Sequence, residues 1–212
     1  MDKNTETQVT WNKLAAIYQD KFMKLDLYND SYDYFIDCLP KSNAKLLELG
    51  CGPGNISQYL LSKRANLDIF GIDLAPKMIE LARLNNPKAR FAVLDVREID
   101  KLNAGFDGII GGFCLPYLSG EECVKLIRQS FTLLNNTGIL YLSFVAGDPL
   151  DSGFKTGSGG RVYFYYHRLQ DLVDAVQDVG FSDIKVFNVN YMTSDKATDV
   201  HTILIAQKNV AL

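Results

Sequence analysis

Three acidic side chains stand in, or at the ends of, apolar segments that are typical of buried β-strands. Glu48 lies in KLLELG, Asp73 ends LDIFGID and Asp95 ends ARFAVLD. A carboxylate in such a place can accept hydrogen bonds from hydroxyl or amine groups of a ligand, each contributing about 1.5–3 kcal/mol. Ligands of open parallel sheets bind outside the carboxyl ends of the strands. The spacing therefore predicts that these acids gather around one polar ligand.

A turn with three glycines in five positions follows the first of these strands, Gly50-Cys51-Gly52-Pro53-Gly54. A phosphate-binding P-loop would continue with Gly-Lys-Ser or Gly-Lys-Thr, but this chain continues with Asn55-Ile56-Ser57. A dinucleotide fingerprint needs GxGxxG, so the GxGxG spacing disfavours a nicotinamide-dependent oxidoreductase without excluding it. Because Asp73 suits the two hydroxyls of a ribose and Asp95 an adenine amine, the pattern favours an adenosine-bearing ligand.

Strand and helix patterns alternate along most of the chain. Two helical patterns come first, and the first carries an apolar stripe through Trp11, Tyr18 and Phe22. Five apolar strand segments then alternate with amphipathic helices, which is typical of a parallel sheet covered on both faces. The last two strand patterns, DIKVFNVNY and VHTILIAQK, have no helix between them and predict a hairpin at the edge of the sheet.

The 212 residues are expected to form a single domain. We divide it into an N-terminal helical cap (1–40), a cofactor-binding core (41–146), a flexible loop and strand near the substrate (147–166), and a C-terminal helix with the edge hairpin (167–212). The loop prediction rests on GDPLDSGFKTGSGG, which is rich in Gly, Ser and Asp and is too long for a bare connection.

Composition and charge indicate an ordinary globular protein with no general electrostatic attraction for nucleic acid. The formal net charge is −3, and Lys and Arg form no runs. The four cysteines form no CxxC pair and have no histidine cluster beside them, so no metal site is predicted. No segment resembles a signal peptide or a membrane span, so we expect a cytoplasmic protein with no membrane association. The sequence does not determine the oligomeric state.

Four segments together resemble a known family. ELGCGPGN, GIDLAPKMIELAR, VLDVREID and FDGIIGGFCLPYLS resemble, in order and spacing, the class I S-adenosylmethionine-dependent methyltransferases, in particular the small-molecule type 11 and type 25 methyltransferase domains. The resemblance implies a Rossmann-like α/β fold. Its seven-stranded mixed sheet has an antiparallel last strand and helices on both faces, and this chain adds an N-terminal helical extension. It also implies S-adenosylmethionine as methyl donor and S-adenosylhomocysteine as product. A module that binds S-adenosylmethionine without catalysing methyl transfer remains an alternative.

The resemblance also implies which residues hold the methyl donor. The glycine turn would line its amino-acid end, the acid ending the second strand would hold the ribose, and the acid ending the third would receive the adenine. A tyrosine of the first helix would close over the cofactor, although its apolar stripe equally suits a core position. The cofactor-binding residues implied in this way are Tyr18, Glu48, Gly50, Cys51, Gly52, Asp73, Leu74, Met78, Asp95, Val96, Gly112 and Phe113.

The methyl acceptor is expected to be an unidentified small molecule. The motifs of methyltransferases acting on DNA amino groups and on cytosine carbon are missing at Cys114-Leu115-Pro116-Tyr117. The Asp-Asn pair of metal-dependent catechol-type enzymes is missing at Gly147-Asp148-Pro149. These absences and the negative net charge favour a small molecule over nucleic acid.

We predict that the acceptor enters between the N-terminal helices and the glycine-rich loop. Tyr117, Tyr165 and Tyr166 are the predicted pocket residues. Methyl transfer requires a general base only if the acceptor arrives protonated, and the catalytic candidates are Tyr117 and His167. The other histidine, His201, is expected to be structural.

Overall fold

The computed structural model describes residues 2–102, 105–157, 159–192 and 198–209. The strands in these ranges are β1 (Lys45–Leu49), β2 (Asp68–Asp73), β3 (Arg90–Val93), β4 (Phe106–Gly111), β5 (Leu134–Val145), β6 (Gly153–Gly157), β7 (Gly160–Phe164), β8 (Phe181–Met192) and β9 (Thr198–Lys208). The helices are α1 (Lys3–Phe22), α2 (Asn29–Cys38), α3 (Asn55–Lys63), α4 (Pro76–Asn85), α5 (Gly120–Leu133) and α6 (Leu169–Val179).

Seven strands form one mixed sheet in the order β3-β2-β1-β4-β5-β9-β8. Strands β1 to β5 are parallel, and β9 pairs antiparallel with both β5 and β8. The predicted seven-stranded Rossmann-like sheet and its terminal hairpin are confirmed. The strand order reverses between β1 and β4, which is where ligands of open parallel sheets bind.

Residues that favour helix ends stand at the ends of three helices. Ser119 and Glu122 form a reciprocal capping box at the start of α5, and Gly180, with φ of 108°, ends α6 in the left-handed conformation. Helix α4 opens with Pro76 in its first turn, where a missing N–H costs nothing. Of the helices in the described ranges, none is both long and apolar enough to cross a membrane.

Part of the segment expected to be a flexible loop is instead a hairpin of two strands in the structure. Within 147–166, β6 and β7 form an antiparallel hairpin, with Gly153 paired to Phe164 and Gly157 to Gly160. The hairpin is held against α1. Thr10 Oγ1 donates to the Arg161 carbonyl at 2.9 Å, and the Tyr163 amide donates to Thr7 Oγ1 at 3.0 Å. Residues far away in sequence supply these contacts, so composition alone could not show them.

Helix α2 is anchored on the sheet by Phe35, which is fully buried and packs edge-on against Tyr141 of β5. We expect Phe35→Ala to lower the free energy of unfolding by about 3–5 kcal/mol, because it leaves a cavity under the helix. Leu84→Ala on α4 is the control, since Leu84 is 77% exposed and its loss should change stability by about 0.5 kcal/mol or less. Urea denaturation measures both variants, and similar midpoints for the two would contradict this view of α2.

Candidate functional site

The glycine turn lies at the point where the strand order reverses. Gly50, Gly52 and Gly54 have φ of 64°, 52° and 82°, in the left-handed region that favours glycine. A Cβ on Gly50 would also lie 3.1 Å from Cys114 Cβ. The turn therefore needs glycine for its backbone shape, and it leaves the chain uncovered where a ligand can approach.

Asp73, the last residue of β2, fixes this turn from the neighbouring strand. Its Oδ2 accepts a hydrogen bond from the Gly52 amide at 3.0 Å, and its Oδ1 accepts one from the Ala75 amide at 2.8 Å. Burial raises the pKa of the carboxyl, while the backbone donors oppose the shift. Both oxygens keep further acceptor capacity, and Asp73 lines a cavity above the turn.

Glu48 of β1 lies beneath the same turn and is almost completely buried. Its Oε2 accepts a hydrogen bond from the Ser57 hydroxyl, whereas its Oε1 is buried and has no hydrogen-bond partner among the described residues. Burial raises the pKa of this carboxyl to about 8, with the Asp73 charge adding to the shift. An unpartnered buried carboxylate oxygen is costly, so Glu48 is suited to a cationic or proton-donating group near the turn.

The ligand cavity is the space above the glycine turn, between the sheet and α1. It brings together ten of the residues that the sequence analysis assigned to the cofactor: Tyr18, Gly50, Gly52, Asp73, Leu74, Met78, Asp95, Val96, Gly112 and Phe113. Cys51 lies in an adjoining space and Glu48 lies below the turn. Asn4, Thr7, Gln8 and Trp11 of α1 also line the cavity, and the sequence analysis did not assign them to it.

Arg97 belongs to the candidate site, although the sequence analysis did not assign it. It lines the ligand cavity, and its guanidinium lies 3.1 Å from Asp95 Oδ1, 2.6 Å from Glu122 Oε1 and 2.9 Å from the Tyr117 carbonyl. The bridge to Asp95 holds that carboxylate in place beside Val96. The DxR spacing in VLDVREID was the available clue. Because its donors are directed to these partners, Arg97 is not a free cation for a ligand.

Helix α1 forms the roof of the cavity. Gln8 Nε2 donates to the Leu74 carbonyl at 2.9 Å, and Asn12 Oδ1 accepts from the Lys77 amide at 2.9 Å at the start of α4. Tyr18 faces the glycine turn, since a Cβ on Gly52 would lie 3.6 Å from its ring. Burial raises the Tyr18 pKa, and the charges of Asp73 and Glu48 raise it further. The structure thus places Tyr18 on the cavity wall.

A second cavity adjoins the first through Trp11, Tyr18, Gly112, Phe113 and Tyr117, and has a volume of about 220 Å³. Much of its wall is aromatic. We call it the aromatic chamber and define it by Phe22, Tyr28, Phe113, Phe164, Tyr191 and His201. Tyr117, which the sequence predicted to be a pocket residue, lies at the junction of the ligand cavity and the aromatic chamber.

His201 of β9, which we expected from the sequence to be structural, lies in the wall of the aromatic chamber. Its Nδ1 is 2.6 Å from the Tyr28 hydroxyl, and its ring stacks on Tyr191 at 4.7 Å and contacts Phe113 at 4.7 Å. Burial lowers its pKa to about 4, so the imidazole is neutral at neutral pH. The sequence shows that side chains alternate between the two faces of β9. It does not show the sheet order, which places β9 beside β5 and so brings His201 to the chamber.

The remaining predicted residues, Tyr165, Tyr166 and His167, lie elsewhere. They line a separate surface cavity with Pro149 and Leu150, and none of them lines the ligand cavity or the aromatic chamber. His167 is buried with Nε2 3.0 Å from the Leu115 carbonyl, and burial lowers its pKa. Strand alternation explains this for Tyr165, because Phe164 lines the chamber and Tyr165 points away from it. Tyr166 and His167 follow the end of β7 at Phe164, so alternation does not determine where they point.

A family model described as a methyltransferase domain matches residues 46–138. Trans-aconitate 2-methyltransferase of Enterobacter sp. (strain 638) is 47% identical over 95 residues, covering 45% of this chain and 36% of that protein. A tRNA N(3)-methylcytidine methyltransferase of Schizosaccharomyces pombe is 28% identical over 234 residues, covering 98% and 72%. Magnesium protoporphyrin IX methyltransferase of Synechocystis PCC 6803, solved with bound SAM, shares the fold with a TM-score of 0.71 and 21% identity, covering 99% and 98%. The chain spans 40%, 38% and 36% of the length of three curated relatives.

Proposed function

We propose that this chain is a class I S-adenosylmethionine-dependent methyltransferase that transfers a methyl group from S-adenosylmethionine to a small molecule. The observation that carries the proposal is the glycine turn, which is tied to Asp73 and lines the aromatic chamber, above a Glu48 oxygen with no hydrogen-bond partner among the described residues.

The described residues fit this cofactor. Asp73 retains acceptor capacity for the ribose hydroxyls. Glu48, buried below the turn, can order the turn or reach the ammonium of the methionine part indirectly. Leu74, Met78 and Val96 supply apolar walls for the adenosine. The nicotinamide alternative is not favoured, because the glycine spacing and the family match both indicate S-adenosylmethionine.

The protein acts by positioning the two reactants and excluding water from them, rather than by supplying a strong catalytic group. S-adenosylmethionine supplies an activated methyl group on a sulfonium, so the reaction is an in-line displacement. Gly112 and Phe113 lie at the boundary of the two cavities, where the acceptor must meet the methyl group. Holding two reactants in line can supply about 7–11 kcal/mol of the barrier reduction. Helix α1 covers the junction with Trp11 and Tyr18 and keeps water out.

A small acceptor is supported by the position of the chamber and by the charge of the protein. The chamber lies under α1 and α2 rather than on an open basic surface, and the net charge of −3 offers no general attraction for RNA phosphates. Some relatives do act on tRNA, so the experiment must include it.

Radiolabelled S-adenosylmethionine should transfer its label to a low-molecular-weight fraction when the protein is given a cell extract. Total tRNA is assayed in parallel, and calorimetric titrations with S-adenosylhomocysteine and NAD compare the two cofactors. We expect binding of S-adenosylhomocysteine only. Label recovered in tRNA would contradict a small-molecule acceptor. Cofactor binding without label in any fraction would support the non-catalytic module.

A further inference from the structure

We propose that the aromatic chamber takes an uncharged aromatic molecule bearing a hydroxyl or amino group, not a carboxylic acid, and that His201 receives the proton this group loses. The inference rests on the proposed function and names the acceptor class for the same site. It assigns His201, which lies outside the family motifs, a direct contact with the acceptor.

The charges of the chamber argue against an acidic acceptor. Among the described residues that line it, none is Lys or Arg, and Asp199 is the only one with a full charge. Lys21 is exposed and places its ammonium 4.9 Å from the Phe22 ring and 5.8 Å from the Tyr191 ring, but it does not line the chamber. Arg97, in the ligand cavity, is already directed to Asp95, Glu122 and the Tyr117 carbonyl. Moving a carboxylate into such a space without a cation costs several kcal/mol. An uncharged acceptor avoids that cost.

The rings around His201 provide flat apolar walls. Phe113 and Tyr191 each lie 4.7 Å from the imidazole centroid, at 59° and 10° to its plane. Phe22 and Phe164 complete the wall from α1 and the β6–β7 hairpin. Aromatic pairs gain about 0.5–1.5 kcal/mol beyond the area that they bury. A planar ring is therefore the acceptor shape that these walls favour.

The Tyr28 contact prepares His201 to bind a protonated heteroatom. The 2.6 Å contact between the Tyr28 oxygen and Nδ1 fits either imidazole tautomer. In the tautomer in which Nδ1–H donates to Tyr28, Nε2 holds a lone pair, and Nε2 has no hydrogen-bond partner among the described residues. Burial keeps the ring neutral, so this lone pair is available at neutral pH. The other buried histidine, His167, lacks this arrangement because its Nε2 contacts the Leu115 carbonyl.

The proton transfer balances with methyl transfer. A lone pair of the acceptor oxygen or nitrogen forms the bond to the methyl carbon, and the carbon–sulfur bond breaks with its electron pair moving to sulfur. The proton on the acceptor heteroatom passes to His201 Nε2, so the positive charge lost at sulfur appears on the imidazole. Release of that proton to solvent restores neutral His201.

Binding is tested with two probes of nearly equal size, p-ethylphenol and p-ethylbenzoate. Trp11 is the only tryptophan and lines both cavities, so its fluorescence reports occupancy without any catalysis. In the presence of saturating S-adenosylhomocysteine, we expect the phenol to bind at least about 10-fold tighter than the benzoate at neutral pH. Equal or tighter binding of the benzoate, or no binding of either probe, would overturn the proposal. Failure of S-adenosylhomocysteine itself to bind would instead overturn the proposed function.

Two variants test the role of His201. His201→Asn should reduce the preference for the phenol by about fivefold or more while S-adenosylhomocysteine affinity stays within about twofold. Tyr28→Phe, which removes only the hydroxyl, should have a smaller effect in the same direction and covers the case in which His201→Asn fails to fold. Unchanged preference in a folded variant of His201 would overturn its contact with the acceptor.

The labelled product of the extract assay gives an independent outcome. An ether or N-methyl product keeps its label in mild alkali, whereas a methyl ester of a carboxylic acid releases labelled methanol. We expect retention of the label. Release as methanol would show an acidic acceptor and overturn the proposed class, while leaving the methyltransferase function intact.

Discussion

Asparagine in place of Asp73 is expected to lower the affinity for S-adenosylhomocysteine at least about 100-fold. The loss follows from two charge-assisted hydrogen bonds to the ribose hydroxyls, each worth about 1.5–3 kcal/mol. The substitution also replaces an acceptor for the Gly52 or Ala75 amide by an NH₂ group, so the glycine turn loses part of its anchor. Isothermal titration calorimetry measures the affinity, and circular dichroism confirms that the variant is folded.

Asp68→Asn is the matched control, because Asp68 begins the same strand that Asp73 ends. Its side chain is 52% exposed and pairs with the exposed Arg90. Exposed ion pairs contribute about 0–1 kcal/mol, so its removal should leave cofactor affinity within about twofold. Affinity of the folded Asp73→Asn protein within threefold of the wild type (roughly 0.7 kcal/mol) would contradict the assignment of Asp73 to the ribose.

Glutamine in place of Glu48 is expected to stabilise the ligand-free protein at alkaline pH while weakening cofactor binding. In the folded protein burial raises the Glu48 pKa from 4.5 to about 8. A carboxyl whose pKa is raised by folding holds its proton in the folded state after the unfolded chain has lost it. The stability of the wild type therefore falls as pH rises from about 4.5 to about 8, and then levels off.

The variant lacks this pH dependence, because glutamine does not titrate. The difference in free energy of unfolding between Glu48→Gln and the wild type should therefore grow across that window, to an upper limit of about 5 kcal/mol. Urea denaturation of both proteins at the two ends of the window measures it. Glu98→Gln is the control, since Glu98 is 46% exposed and, among the described residues, forms an ion pair with Lys101 alone. A difference that stays constant with pH would contradict the buried, protonated state of Glu48.

The same substitution tests the cofactor. If the Glu48 carboxylate meets the ammonium of S-adenosylhomocysteine, ligand affinity in the wild type should rise with pH as the carboxyl ionises. The variant should bind about 10-fold more weakly above pH 8 and show little dependence on pH. Gain of stability with loss of affinity would place Glu48 at a functional site rather than in the structural core. Equal affinities of the wild type and the variant for S-adenosylhomocysteine would show that Glu48 does not contribute to the cofactor site.

The cofactor side of the site could be predicted from the sequence because its residues are tied to strand ends. Glu48, Asp73 and Asp95 follow from β1, β2 and β3, whose parallel order brings their carboxyl ends to one edge. Gly50 and Gly52 follow from the backbone conformation of the turn. Each inference needs only local sequence and the geometry common to parallel sheets.

The acceptor side could not be predicted in the same way. His201 reaches the chamber because β9 inserts between β5 and β8, and Tyr28 reaches it because α2 docks over the sheet. Phe164 rather than Tyr165 faces the chamber because pairing of β6 with β7 and contacts with α1 determine which face of β7 points inward.

The sequence by itself determined the fold class, the strand-end acids and the glycine turn, because strand and helix periodicity and left-handed glycine geometry are local properties. Only the tertiary structure decided which histidine and which aromatic residues line the aromatic chamber, and that Arg97 holds Asp95. Those contacts join residues far apart in the chain, and the docking of α1, α2 and β9 on the sheet brings them together.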